Sequence, residues 1–130
     1  MSTSTPKRVM LLGILPSEVD FSKIPPNMPM MNEEILAKNL QKSEDELIAA
    51  GYDAKWLLVD LGKTAKTVLR QKLETNTYDC VLIGAGIRAM PENFDLFEQC
   101  LNIIHELAPT AKICFNQNPL DSLQAVKRWV

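Results

Sequence analysis

Tyr78-Asp79-Cys80-Val81-Leu82-Ile83-Gly84-Ala85-Gly86 (YDCVLIGAG, residues 78–86) decides the fold. It is a short apolar run that reads as a strand and ends in two glycines. Upstream, Lys7 to Leu15 (KRVMLLGIL) is a continuous apolar run with a charged entrance, the pattern of a strand covered on both faces. Pro16 ends it. Ala54 to Val59 (AKWLLV) and Ala111 to Phe115 (AKICF) are further runs of the same kind.

Helical spacing fills the intervals. Asn32 reads as an N-cap with Glu33 and Glu34 in the first turn, where the helix dipole favours acids. Ile35, Leu36, Leu40 and Leu47 then mark one face as far as Ala50, and Gly51 supplies the stop. Lys63 to Glu74 turns Ala65, Val68, Leu69 and Leu73 inward. Pro91 opens a helix that ends near Ala108, before Pro109. Leu120 to Trp129 closes the chain, with Leu123, Val126 and Val130 on one face. Strands alternating with such helices imply right-handed βαβ crossovers. The expected fold is a three-layer α/β/α domain over residues 1–130, with a four-stranded parallel sheet of order 2-1-3-4, flavodoxin-like and shortened. A sheet extended by a second copy of the chain is the alternative.

The connection from Ser17 to Met31 is unusual. It carries Pro25, Pro26 and Pro29 beside Met28, Met30 and Met31. A βα loop typically has 2–6 residues, and methionines adapt to irregular apolar surfaces. We expect a lid over the sheet edge; the alternative is a loop that packs down on its own domain and does not move. Residues 1–6 read as a frayed leader.

Composition narrows the function classes. A hydrophobic fraction of 46% and a charged fraction of 23% are those of a globular domain. The formal net charge of −2 argues against a nucleic-acid binder, which needs a basic face. No segment has the roughly 20 apolar residues of a membrane helix, and the polar start has no signal-peptide core. Cys80, Cys100 and Cys114 lie in apolar runs without CxxC spacing. They read as buried free thiols of a cytoplasmic protein, with no metal site.

In open α/β sheets, ligands bind outside the carboxyl ends of the strands, where the winding direction reverses. For order 2-1-3-4 that point lies between the first and third strands. Gly84 and Gly86 would let backbone N–H groups approach a ligand, and Arg88 offers a forked cation for phosphate or carboxylate. The expected ligand is therefore a small anionic metabolite. Asp60, Ser17, Asn116 and Asn118 are candidate polar specificity groups. Each also has a structural reading: Asp60 as a helix cap, the asparagines as turn residues before Pro119, and Arg88 as a partner of Glu92 or Asp95. No nucleophile–base pair is visible, so catalysis would have to be electrostatic or use Asp60 or Glu18 as base.

Several motifs fail on inspection. Gly84 to Ala89 fits GxGxxA, but Pro91 delays the helix, no acid ends the next strand, and too little chain follows for a dinucleotide fold. No NAD or FAD cofactor is expected. Gly62-Lys63-Thr64 echoes a Walker A ending, yet its first glycine would fall at Leu57 inside a strand. His105, the single histidine, sits at the border of a polar helix arc. The acids of a receiver domain, the phosphate loop of a flavodoxin, the DxHxxG of a cobalamin domain and the Cys-x5-Arg of a small phosphatase are all missing. The segments YDCVLIGAG, LFEQCLNIIHELAP and AKICFN resemble those of small uncharacterised bacterial flavodoxin-like proteins. That resemblance spans most of the chain and implies a fold without an activity.

A second function class rests on the helix of residues 91–108. Its apolar residues fill about half its circumference, more than the stripe of about 100° that one sheet face needs. The surplus either meets a neighbouring helix or forms a homodimer surface through Phe94, Phe97, Leu101 and Ile104. In the latter case the chain is a non-catalytic interaction module.

Overall fold

The computed structural model describes residues 5–24 and 31–130. In chain order its regular elements are β1 (Arg8–Ile14), α1 (Glu33–Ala49), β2 (Asp53–Val59), α2 (Ala65–Thr75), β3 (Cys80–Ile83), the single turn α3 (Ala85–Arg88), α4 (Phe94–Leu107), β4 (Lys112–Phe115) and α5 (Ser122–Lys127). The four strands form one parallel sheet in the order β2-β1-β3-β4. This is the flavodoxin-like order one strand short.

Side-chain alternation along the strands divides the core in two. Met10, Leu12, Ile14, Val81 and Ile83 face α2 and α4, joined there by Leu69, Cys100 and Ile104. Val9, Leu11, Cys80, Leu82 and Cys114 face the other way, toward Leu47 of α1 and Ala125 and Val126 of α5. β1 and β3 are apolar at nearly every position because both their faces are covered. Asn32 caps α1, its side chain accepting from Ile35 N at 2.8 Å. Gly51, at φ +97°, takes the left-handed step after that helix.

Three details differ from the sequence reading, and a fourth bears on an alternative that it left open. First, helix begins directly after Gly84: the turn Ala85–Arg88 precedes Pro91, and a 3-10 turn at Pro91–Asn93 leads into α4. Second, Ile35 is 42% exposed, while Leu36 and Leu40 take the inward positions. Third, the closing helix is short, preceded by a 3-10 turn at Pro119–Asp121. Fourth, the dimer face is largely absorbed. α4 lies beside α2 as well as on the sheet. Ile104 is wholly buried, Leu101 packs on the same core, and Phe97 meets the Phe115 ring edge-on at 6.0 Å. Phe94 alone of the four is mostly exposed. Of the connection between β1 and α1, the described part makes 3-10 turns at Pro16–Glu18 and Phe21–Lys23. The expected leader at residues 1–4 and the proline and methionine positions 25–30 lie outside the described residues.

Candidate functional site

The carboxyl ends of β1 and β3 lie side by side, as the strand order requires. A cavity of about 90 Å³ opens there. Gly13, Ile14, Gly84 and Gly86 form its floor. Val19, Phe21, Ile24 and Met31 close one wall from the β1–α1 connection, Leu36 and Leu40 of α1 with Trp56 of β2 another, and Ala85, Ala89, Met90 and Asn116 the rest. Beside it, sharing Ile14, Val19, Gly86 and Met90, runs a groove of about 220 Å³ that carries Glu18, Asp20, Lys23, Glu92 and Asn93. Asp20 is held below the ordinary carboxylate range, chiefly by the Ser22 hydroxyl at 2.6 Å.

Trp56 sets the shape of the chamber. Its indole Nε1 donates to the Leu40 carbonyl at 2.7 Å, and its backbone N–H donates to Glu44 Oε1 at 3.0 Å. The second bond also occupies an amide on the outer edge of the sheet, where a free strand would otherwise find a partner. The ring lies over Gly13 so closely that a β-carbon there would stand 2.9 Å from Cζ3. Gly84 is a glycine for a similar reason, since its β-carbon would meet the Leu12 carbonyl at 3.1 Å. The glycines thus admit neighbouring protein groups, an indole and a carbonyl oxygen.

Three backbone donors of the expected anion site are engaged within the chain. Gly84 N donates to Leu12 O at 2.8 Å, Ala85 N to Asn116 Oδ1 at 2.9 Å, and Arg88 N to Gly84 O at 3.2 Å. The Arg88 guanidinium is directed at the exit of β4. It donates through Nη2 to the Asn116 carbonyl and lies 5.7 Å from the Phe115 ring centroid. Its Nε is buried and has no partner. Neither Glu92 nor Asp95 pairs with it, and it does not line the chamber.

The remaining candidates scatter. Asn116, 2% exposed, borders the chamber and holds it together: besides accepting from Ala85 N, it donates through Nδ2 to Ser122 Oγ at 3.1 Å. One amide joins α3, the end of β4 and the start of α5. Asn118 caps the turn into α5, accepting from Leu120 N and sharing a reciprocal box with Asp121. Asp60 accepts from Gly62 N, Thr64 N and Ala65 N and from the Thr64 hydroxyl at 2.7 Å. Those bonds, the hydroxyl first, hold its carboxyl below the usual range. It caps α2. Ser17 is exposed in the first 3-10 turn, outside the chamber. His105 is exposed on the last turn of α4.

Gly84, Gly86 and Asn116 are therefore brought together at the chamber, while Arg88, Asp60, Ser17 and Asn118 are not. The sequence reading missed Trp56, Phe21 and Gly13. Gly13 carried a usable signal, because glycine inside a strand marks a close approach by another group.

These features define a parallel α/β domain with an apolar chamber at the carboxyl edge of its sheet. No family model, curated protein or solved structure matches the chain.

Proposed function

We propose that the chain is a binding domain that takes a small, largely apolar molecule, or the apolar end of a larger one, at the carboxyl edge of the sheet. The chamber itself carries this reading. It sits where parallel sheets bind ligands, its walls are aliphatic and aromatic, and its volume suits a few heavy atoms, since a water occupies about 30 Å³ in the liquid. Any polar end of the ligand would lie in the adjoining groove near Glu18, Lys23 and Glu92.

The anionic metabolite expected from the glycines and Arg88 has less support, because Gly84 N, Ala85 N and Arg88 Nη2 bond to the chain itself and Arg88 does not line the chamber. Catalysis is not part of the proposal. Among the described residues lining the chamber, the polar side-chain groups are the Trp56 indole N–H and the Asn116 amide, both hydrogen-bonded. Neither is a base or a nucleophile.

A thermal-shift screen of small neutral probes (2-propanol, isobutanol, dichloromethane) against phosphate, sugar phosphates and carboxylates tests this reading, with tryptophan emission as a second signal. An apolar probe at a hundred times its Kd should stabilise by about 2.7 kcal/mol, and Leu36→Phe, which fills the chamber, should remove that shift. Stabilisation by the anions alone, lost in Arg88→Ala, would restore the anion reading.

A further inference from the structure

No CxxC spacing brings metal ligands together along this chain, but the sheet brings two thiols together from different strands. Cys80 opens β3 and Cys114 lies in β4, and their sulfurs are 3.5 Å apart in the core. Both are free and buried, among Val9, Leu11, Leu47, Leu82 and Val126. Cys100, the third thiol, lies on the opposite face of the sheet.

We propose that Cys80 and Cys114 form a two-coordinate site for a soft monovalent d10 cation, Cu(I) or Ag(I). The register is the first argument. Cys80 stands opposite Lys112 and Cys114 opposite Leu82, so the thiols are diagonal neighbours. On parallel strands about 4.8 Å apart, with a rise of about 3.3 Å per residue, positions two residues out of register lie about 8 Å apart, whereas a relaxed disulfide wants Cα atoms about 4.4–6.8 Å apart. A disulfide would drag β4 along β3. A metal bridge needs no such movement: two metal–sulfur bonds in line, each near the zinc–thiolate length of about 2.3 Å, span about 4.6 Å. The sulfurs have only about 1 Å to open from 3.5 Å, within the reach of small side-chain torsions.

Coordination number and charge point the same way. Thiolates select soft ions, and among the described residues no third histidine, cysteine or carboxylate joins the pair, so a four-ligand zinc site is excluded. An apolar interior demands a neutral complex. The balanced step is R–SH + M⁺ → R–S–M + H⁺ at one of the two thiols, with the S–H of the other donating a lone pair to the metal and no electron transferred. Entry lies over β4, a four-residue edge strand, and the six-residue α5. Short edge elements open locally at low cost.

Silver nitrate is the probe, titrated into the full chain in chloride-free buffer. The expected result is one equivalent bound, one proton released, an ultraviolet sulfur-to-silver absorption and a higher melting midpoint. Cys100→Ser should leave all four unchanged. Cys80→Ala and Cys114→Ala should each weaken binding tenfold or more. Should either alanine variant fail to fold, X-ray absorption of the silver-loaded Cys100→Ser protein decides: two sulfur neighbours on the metal are expected, and one or none overturns the proposal. The proposal is overturned if Cys100→Ser removes the binding, if silver binds only as the native circular dichroism is lost, or if a diamide-formed Cys80–Cys114 disulfide leaves stability undiminished.

Discussion

The two sides of the sheet's carboxyl edge are built on opposite plans. On the β3–β4 side, polar groups meet polar groups: Asn116 joins α3 to α5, and Arg88 joins α3 to the end of β4. On the β1–β2 side, Trp56, Leu36, Leu40 and Phe21 stand around open space. The side richest in recognisable ligand chemistry is the one closed to ligands, because a buried donor costs free energy unless the chain itself satisfies it. Space is left where apolar side chains meet at an irregular junction of strand, helix and loop.

The largest effect is expected at Asn116, the joint of the closed side. Asn116→Leu strips Ala85 N of its acceptor and Ser122 of the amide donor. One orphaned buried donor and one lost bond together cost about 2–3 kcal/mol. Urea unfolding should show that loss. A change below about 1 kcal/mol would mean that the joint does not hold the edge together.

Gly13→Ala tests the open side. Its new β-carbon would begin 2.9 Å from the Trp56 ring, so the indole must swing or the strand must shift. Overpacking of this kind costs about 1–3 kcal/mol. Tryptophan emission should shift and apolar-probe binding should fall together. Unchanged emission would place Trp56 elsewhere and dissolve the chamber wall with it.

Arg88→Met should do less. It gives up the bond to the Asn116 carbonyl and the stacking on Phe115 but also removes a buried Nε that has no partner. The opposing effects leave a net change within about 1 kcal/mol. Apolar-probe binding should be unaffected, which separates the chamber from an anion cradle more cleanly than any stability measurement.

How much of this was legible in the sequence follows from the range of each signal. Strand order was readable because KRVMLLGIL and YDCVLIGAG are apolar on both faces, and only the central strands of a doubly covered parallel sheet need that. The location of the site followed from the order. The helix after Gly84 was placed too late because four residues show no periodicity, while Pro91 is a strong start signal. Trp56 was invisible as a chamber wall inside AKWLLV, since strand periodicity says which face a residue takes and not what it overhangs. The meeting of Cys80 and Cys114 depends on register between β3 and β4, which no local pattern encodes. Polar side chains were the hardest to read: a cap, a joint and a ligand contact all use the same asparagines and aspartates.

Asp60 should show the smallest effect and the clearest sign. Its carboxylate accepts from the amides and hydroxyl at the start of α2, so the folded state holds it ionised to a lower pH than the unfolded chain does. A depressed carboxylate stabilises the fold at every pH above its unfolded value of about 3.9 and loses that contribution as pH falls through the folded value. Asp60→Asn keeps an acceptor for one of the amides and loses the charge, so it should lower the melting midpoint slightly at pH 7. The gap should be constant from pH 7 to about 5 and narrow only below about pH 4. A gap that instead narrowed between pH 7 and 5 would mean that another titrating group faces Asp60. A gap that widened on acidification would reverse the sign of the linkage, and with it the assignment of Asp60 as the cap of α2.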